Sequence, residues 1–116
     1  MIALTALALC AAVDGDGLRC GPERIRLAGV NARELHGHPC PNARPCPTMI
    51  GPAAKALLAR LIAPGVTIQR RERDRYGRTV ADVTLADGRD LACVLTRAGA
   101  VARWNRYWPK GKRCGR

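Results

Sequence analysis

Charged and polar side chains cluster at the end of one predicted strand, in the stretch RIRLAGVNARE at residues 24–34. The strand carries Arg26 and runs directly into Asn31 and Glu34. The guanidinium group of an arginine can bind two oxygens of one phosphate. Oxygens of amides and carboxylates are hard ligands suited to calcium, and a carboxylate can also position or deprotonate a water molecule. No strand needs such an ending for stability, so the stretch predicts a site for an anionic ligand.

Two turn sequences add groups of the same kind. DGDG at 14–17 contains Asp16, and DRYGR at 74–78 contains Arg78. Taken singly, these residues favour a structural interpretation, because aspartate is common in tight turns and an arginine is most often part of a solvated basic face. Taken together and in this order with Glu34, they predict one site.

The elements that must position these residues follow in the order three strands, helix, two strands, helix. The predicted elements are a strand up to Val13, strands at 18–20 and 24–30, a helix from Pro52 to 63, strands at 66–72 and 78–85, and a helix at 90–100 that Asp87 or a neighbour caps. Leu57, Leu58, Leu61 and Ile62 share one face of the first helix. Five short strands with a helix after the third are typical of a small closed barrel of the oligonucleotide/oligosaccharide-binding (OB) type.

Composition limits the possibilities further. The 116 residues fit a single domain, 1–116, which ends in a basic tail at 102–116. The formal net charge of +11 suits a polyanionic partner, nucleic acid or an anionic membrane, although an arginine-rich proteome would also produce such a charge. There is no Phe, so the core must be aliphatic and small, and six cysteines matter for stability.

The N-terminal stretch MIALTALALCAAV is apolar and has three interpretations. Residues 1–12 are a signal segment that ends near CAA, a lipoprotein signal that ends at Cys10, or the first strand of the fold. No segment has the roughly 20 apolar residues that a membrane-spanning helix needs. Because six cysteines favour an oxidising compartment, we expect a secreted or periplasmic protein, membrane-anchored if Cys10 carries lipid.

The motifs VDGDGLRCGPERIRLAGVNARE, DRYGRTVADVTL and LTRAGA closely resemble the thermonuclease (staphylococcal nuclease-like) family, from about Val13 to Val101. The resemblance implies an α+β fold, a five-stranded OB-fold barrel with two to three helices. It also implies Ca²⁺-dependent endonucleolytic hydrolysis of DNA and RNA phosphodiesters. We expect a monomer that needs no protein partner.

The resemblance implies three kinds of role for individual residues. The residues that act on the phosphate and the attacking water are the clamp arginines Arg26 and Arg78 and the water-orienting Glu34; those that ligate calcium are Asp16, Asn31 and, through its carbonyl, Ala32; those that contact the substrate are Arg75, Tyr76 and Tyr107. Tyr107 lies in RWNRYWPKG, where aromatic and basic residues alternate as in single-strand-binding surfaces, but the tryptophans there could also fill the core.

The sequence departs from the family pattern at three positions. Asn31 replaces an acidic ligand, Gly17 replaces a threonine, and Arg33 replaces the proline before Glu34. Because calcium affinity follows ligand charge, Asn31 predicts weaker metal binding. The alternatives to a nuclease are therefore a nucleic-acid-binding module without catalysis and, further from the motifs, a cationic protein acting on anionic surfaces.

Six cysteines allow 15 connectivities. The hypothesis here is that Cys10 and Cys20 face each other across the first hairpin, that Cys40 and Cys46 close a small loop, and that Cys93 and Cys114 tie the tail to the second helix. A zinc site built from His36, His38 and the Cys40–Cys46 pair is disfavoured, because HGHPCPNARPC has the spacing of no common zinc finger.

Overall fold

The computed structural model describes residues 6–36, 40 and 44–115. In chain order the elements are β1 (Ala11–Asp14), β2 (Gly17–Cys20), β3 (Glu23–Leu27), β4 (Val30–Asn31), α1 (Gly51–Ile62), β5 (Val66–Arg73), β6 (Thr79–Leu85), α2 (Leu91–Arg97) and β7 (Ala102–Arg103). The predicted order of strands and helices is confirmed. The additional strands β4 and β7 have two residues each, which is too short for an alternation pattern.

The strands form a mixed sheet and a small antiparallel pair. The main sheet has the order β1-β2-β3-β6-β5, in which β3 and β6 are parallel and the other pairs antiparallel, while β4 pairs with β7. Between the two edges of the main sheet, the described residues contain one isolated bridge, in which Ala8 and Val66 exchange backbone hydrogen bonds of 2.8 and 2.9 Å. The fold is thus α+β, and the expected closed barrel is not shown.

An aliphatic core lies between the main sheet and the two helices. From α1, Ala54, Leu58 and Ile62 are fully buried, and Leu57 and Leu61 pack against the same core at its margin. The predicted apolar face of this helix is therefore confirmed. Burial of each large aliphatic side chain contributes about 1.5–3 kcal/mol, which holds α1 firmly against the sheet.

The ends of the helices differ slightly from the prediction. Helix α1 begins at Gly51, so Pro52 is its second residue. The cap of α2 is Asp90, whose Oδ1 accepts a hydrogen bond of 3.0 Å from the Cys93 amide, whereas Asp87 lies in the preceding turn. Asp90 occupies the position from which a side-chain oxygen reaches the first unpaired amides of the helix, which explains the difference.

Three disulfides cross-link the chain. They join Cys10 to Cys20, Cys40 to Cys46 and Cys93 to Cys114, the same pairs as in the sequence hypothesis. These bridges are typical of proteins from oxidising, non-cytosolic compartments. They also occupy the cysteines that a zinc site would need, and His38 lies outside the described residues. None of the helices in the described part of the chain is both long and apolar enough to cross a membrane.

Candidate active site

An open cavity of about 830 Å³ lies where five segments of the chain meet. Its walls come from the turn between β1 and β2, the chain from the end of β3 to residue 36, the loop at Arg44, the turn between β5 and β6 with the adjoining strand ends, and the C-terminal tail. Every residue that the sequence analysis assigned to substrate, metal or catalysis lines this cavity: Asp16, Arg26, Asn31, Ala32, Glu34, Arg75, Tyr76, Arg78 and Tyr107.

Asp16 is held by the turn between β1 and β2 and is almost fully buried, with 7% of its surface exposed. Its Oδ2 accepts a hydrogen bond of 2.8 Å from the Ala32 amide and lies 3.1 Å from Nη1 of Arg26. Burial raises the pKa of Asp16 to about 6, against the opposing charge of Arg26 and with a further rise from Asp14. Burial therefore disfavours the ionised carboxylate, and the guanidinium of Arg26 offsets only part of this effect.

The turn that carries Asp16 packs closely, at Gly15, against Ala32 and against Ala54 of α1. A Cβ at Gly15 would lie 2.6 Å from the Cβ of Ala32 and 2.9 Å from the Cβ of Ala54 in α1. Real Cβ atoms do not approach so closely, so only glycine lets this turn reach the cavity.

Asn31 is 2% exposed, and its Nδ2 donates a hydrogen bond of 3.0 Å to the Pro45 carbonyl. An ionised aspartate at this position would have no proton to donate to the Pro45 carbonyl, so this hydrogen bond explains why the residue is Asn31. Among the described residues, its Oδ1 accepts no hydrogen bond. The neighbouring departure from the family pattern is explained in the same way, because Nε of Arg33 donates a hydrogen bond of 2.7 Å to the Pro47 carbonyl.

Glu34 is exposed at the cavity, and its carboxylate forms no hydrogen bond or ion pair with a described residue. Arg33, the neighbour that could have paired with it, bonds Pro47 instead. The main chain at Glu34 is nevertheless closely confined, because a Cβ on Gly51 would lie 2.2 Å from the Glu34 carbonyl oxygen. The start of α1 thus supports the backbone that carries this accessible carboxylate.

Asp74 organises the turn between β5 and β6. Its Oδ1 accepts hydrogen bonds of 2.9 Å from the amides of Tyr76 and Arg78, and its Oδ2 accepts one of 2.7 Å from Nε of Arg78. Although burial acts in the opposite direction, the hydrogen bonds from Arg78 and Tyr76 hold the pKa of Asp74 below its usual value. Asp74 therefore fixes both the turn and the guanidinium of Arg78.

Tyr76 is half-exposed and surrounded by cations. Its ring lies 5.0 Å from the guanidinium of Arg75 and 5.5 Å from that of Arg78, and its hydroxyl accepts a hydrogen bond of 2.9 Å from Arg75. Arg24 on β3 donates to the Tyr76 carbonyl and so ties this turn to the neighbouring strand. The arrangement presents an aromatic edge and positive charge to the cavity.

The C-terminal tail supplies a second aromatic wall. Tyr107 is exposed, and its ring meets that of Trp104 edge to face at 4.8 Å. Trp108 is 7% exposed and belongs to the core, so of the two tryptophans it is Trp108 that fills a gap. The Trp104 amide donates a hydrogen bond of 2.8 Å to the Gly29 carbonyl, which ties the tail to the cavity wall.

Sequence reasoning missed three residues that line or hold the cavity. Asp74 opens the turn DRYGR, and its position as a turn-capping aspartate could have identified it. Arg24 alternates with Arg26 along β3, but nothing in the pattern indicates a contact with Tyr76. Arg44 lies in a proline- and cysteine-rich loop, which carries no periodic signal.

Within the described ranges, no group of three or more histidine, cysteine, aspartate or glutamate side chains could hold a metal ion. The cavity instead offers oxygen atoms of mixed type: carboxylates of Asp14 and Asp16, the amide oxygen of Asn31, and main-chain carbonyls. A donor set of this kind suits a hard cation that also binds water and substrate oxygens, and it suits no soft metal.

Comparison with known proteins supports the resemblance seen in the motifs. A family model described as staphylococcal nuclease homologue matches residues 24–114, which run from the second residue of β3 to beyond β7 and contain most of the cavity-lining residues. A comparison with curated proteins found no match. Because the family match spans most of the chain, the protein belongs to the staphylococcal nuclease homologue family.

Proposed function

We propose that the protein is a calcium-dependent endonuclease that hydrolyses phosphodiester bonds of DNA and RNA. The observation that carries the proposal is the single cavity in which two arginines, an accessible carboxylate and several oxygen ligands converge from segments distant in sequence. Membership of a family of nucleases supports the same reaction class.

Arg26 and Arg78 would bind the scissile phosphate. Each has a carboxylate partner, Asp16 at 3.1 Å and Asp74 at 2.7 Å, which orients its guanidinium group at the cavity. Phosphate oxygens can bind the remaining N–H groups of each fork. Donors aimed at charge that develops in the transition state are each worth roughly 10²–10³ in rate.

Glu34 would orient and deprotonate the attacking water. This role requires a carboxylate that solvent can reach, and the Glu34 side chain is exposed at the cavity without a partner among the described residues. A positioned general base of this kind contributes about 10²–10⁴ in rate. Arg33 does not neutralise it, since Arg33 is bonded to Pro47.

The residues that would hold calcium are Asp16, Asn31 through Oδ1, and Ala32 through its carbonyl. Bound calcium would neutralise phosphate charge next to the arginines. With one buried carboxylate among these three ligands, the affinity should be low, and substrate oxygens and water would have to complete the coordination.

The proposal also covers the residues that contact the substrate, the cellular location of the protein and its oligomeric state. Arg75, Tyr76 and Tyr107 would contact the sugar–phosphate chain and the bases, which suits a strand of either nucleic acid. We further propose an exported, monomeric protein whose Ala8–Val66 bridge belongs to a closed OB barrel.

The test is cleavage of single-stranded DNA across a calcium titration, with a chelator control and the variant Glu34→Gln. We expect calcium-dependent cleavage that falls by at least about 10²-fold in this variant. Glu72→Gln is the matched control, because Glu72 is also an exposed glutamate that lines the cavity, and it should keep its rate within a few-fold. Equal rates for the two variants would refute the assigned role of Glu34.

A nucleic-acid-binding module without catalysis is the second candidate. The scarcity of acidic ligands favours it, because within the described ranges Asp16 belongs to no group of three or more histidine, cysteine, aspartate or glutamate side chains that could hold a metal ion. Salt-sensitive binding of the same oligonucleotide without cleavage at any calcium concentration would establish this alternative.

A further inference from the structure

The segment from Arg44 to Pro47 is held at the cavity by hydrogen bonds from the side chains of Asn31 and Arg33. Nδ2 of Asn31 donates to the Pro45 carbonyl at 3.0 Å, and Nε of Arg33 donates to the Pro47 carbonyl at 2.7 Å. A disulfide joins Cys46 to Cys40 within the same segment of chain. Two hydrogen bonds and one covalent bond therefore determine where this segment lies.

The arrangement places the guanidinium of Arg44 at the cavity. Arg44 is exposed, lines the cavity, and lies 5.4 Å from the ring centroid of Trp104 in the tail. Trp104 is itself fixed, through its amide to Gly29 and through its edge-to-face contact with Tyr107. A cation–π contact of this geometry orients the charge but does not neutralise it.

Arg44 differs from the clamp arginines in its charge balance. Arg26 and Arg78 are each paired with an aspartate, whereas Arg44 has no carboxylate partner among the described residues. A phosphate that approaches Arg44 has no internal carboxylate to displace. Arg44 can therefore bind an additional anion without breaking an ion pair, unlike the two clamp arginines.

We propose that Arg44 binds a backbone phosphate of a single nucleic-acid strand, in addition to the scissile phosphate, and that Asn31, Arg33 and the Cys40–Cys46 disulfide position it. The inference rests on the proposed function, since it concerns the same substrate and cavity. It gives one explanation for two departures from the family pattern, because both substituted side chains are hydrogen-bond donors to the Arg44–Pro47 segment.

The test measures binding rather than cleavage. A labelled single-stranded oligonucleotide is titrated with protein in the Glu34→Gln background, with chelator, from about 50 mM to about 200 mM salt. Each lost contact with a single strand should change the slope of log K against log salt by about 0.7. We expect Arg44→Ala to lower the slope by about this amount, and Arg44→Lys to keep it. Arg60→Ala should have no effect, since Arg60 is exposed on α1 and does not line the cavity.

The positioning role is tested with the double variant Cys40→Ser, Cys46→Ser, which leaves the other disulfides in place. It should show the slope of Arg44→Ala, and adding Arg44→Ala to it should change the slope no further, as expected of coupled groups. A wild-type slope in Arg44→Ala would overturn the inference while leaving the proposed function intact. A wild-type slope in the double cysteine variant would overturn the positioning role of the disulfide. Absence of oligonucleotide binding in every variant under these calcium-free conditions would overturn the inference, whereas the proposed function is tested separately by calcium-dependent cleavage.

Discussion

Substitution of Gly51 by alanine tests whether helix α1 sets the position of the proposed general base. The added Cβ would lie 2.2 Å from the Glu34 carbonyl oxygen and 3.0 Å from that of Arg33. An ordinary contact between a carbon and a carbonyl oxygen is about 3.3 Å, so the Glu34 main chain would have to move by about 1 Å. Glu34 is the element that moves, because α1 is anchored in the core by Leu58 and Ile62.

The effect on activity should exceed the effect on stability. Overpacking of this kind costs about 1–3 kcal/mol, and the better helix propensity of alanine offsets up to about 1 kcal/mol of it. A displacement of about 1 Å in a catalytic group can lower the rate by about 10²-fold. Gly51→Ala should therefore fold with a modestly lower Tm and lose about two orders of magnitude in kcat/KM.

The assay combines thermal unfolding with calcium-dependent cleavage of single-stranded DNA. Gly115→Ala is the matched control, because a Cβ at Gly115 has no neighbour within 4 Å, and it should resemble the unsubstituted protein in both measurements. A Gly51→Ala protein that is folded and cleaves within about twofold of the normal rate would refute the reasoning. It would mean that the Glu34 backbone adjusts without moving its carboxylate.

Two further predictions concern stability. Hydrogen bonds from Arg70 and then Thr79 lower the pKa of Glu23 to about 2 from an ordinary 4.5. The ionised Glu23 therefore adds to the free energy of unfolding fully above about pH 4.5, and this contribution is lost as the pH falls toward 2. Because the pair is partly exposed, we expect about 1 kcal/mol, visible in urea unfolding as a pH-dependent loss over that range that Glu23→Gln lacks. Lys112 is 12% exposed and its Nζ lies 2.9 Å from carboxylates of both Asp82 and Asp90, so Lys112→Met should lower the free energy of unfolding by about 2–3 kcal/mol. An unchanged urea midpoint in Lys112→Met would show that the tail is held without this ion pair.

Local patterns predicted the main elements well. The DG turns, the alternation in RIRLAGV and the leucine spacing of α1 each depend on neighbouring residues, and each lies close to where the structure places it. The sequence left the α2 cap open between Asp87 and a neighbour, and the cap is Asp90 because capping depends on which oxygen reaches the first free amides. Strands β4 and β7 could not be predicted, since a pair of residues has no period and their pairing joins distant parts of the chain.

The site was predictable only to the extent that its residues belong to motifs. Asp16, Glu34 and Arg78 lie in motifs whose order along the chain suggested a common cavity, and the structure brings them to one. The aspartate that holds Arg78 and the loop that carries Arg44 depend on side-chain contacts that no motif records. The sequence likewise could not explain why asparagine stands at position 31, because the partner of its side chain is a main-chain atom, the Pro45 carbonyl oxygen.

The parallel pairing of β3 with β6 also affects when the chain acquires its site. It aligns Arg26 with Val80, residues far apart in sequence, with α1 and β5 between them. Contacts of such long range close large loops and tend to form late in folding. Arg26 and Arg78 therefore reach a common cavity only once the intervening helix and strand are in place, so a nascent or incompletely folded chain holds both clamp residues without a joint binding site. For the proposed nuclease activity, the completed fold itself would then be the condition.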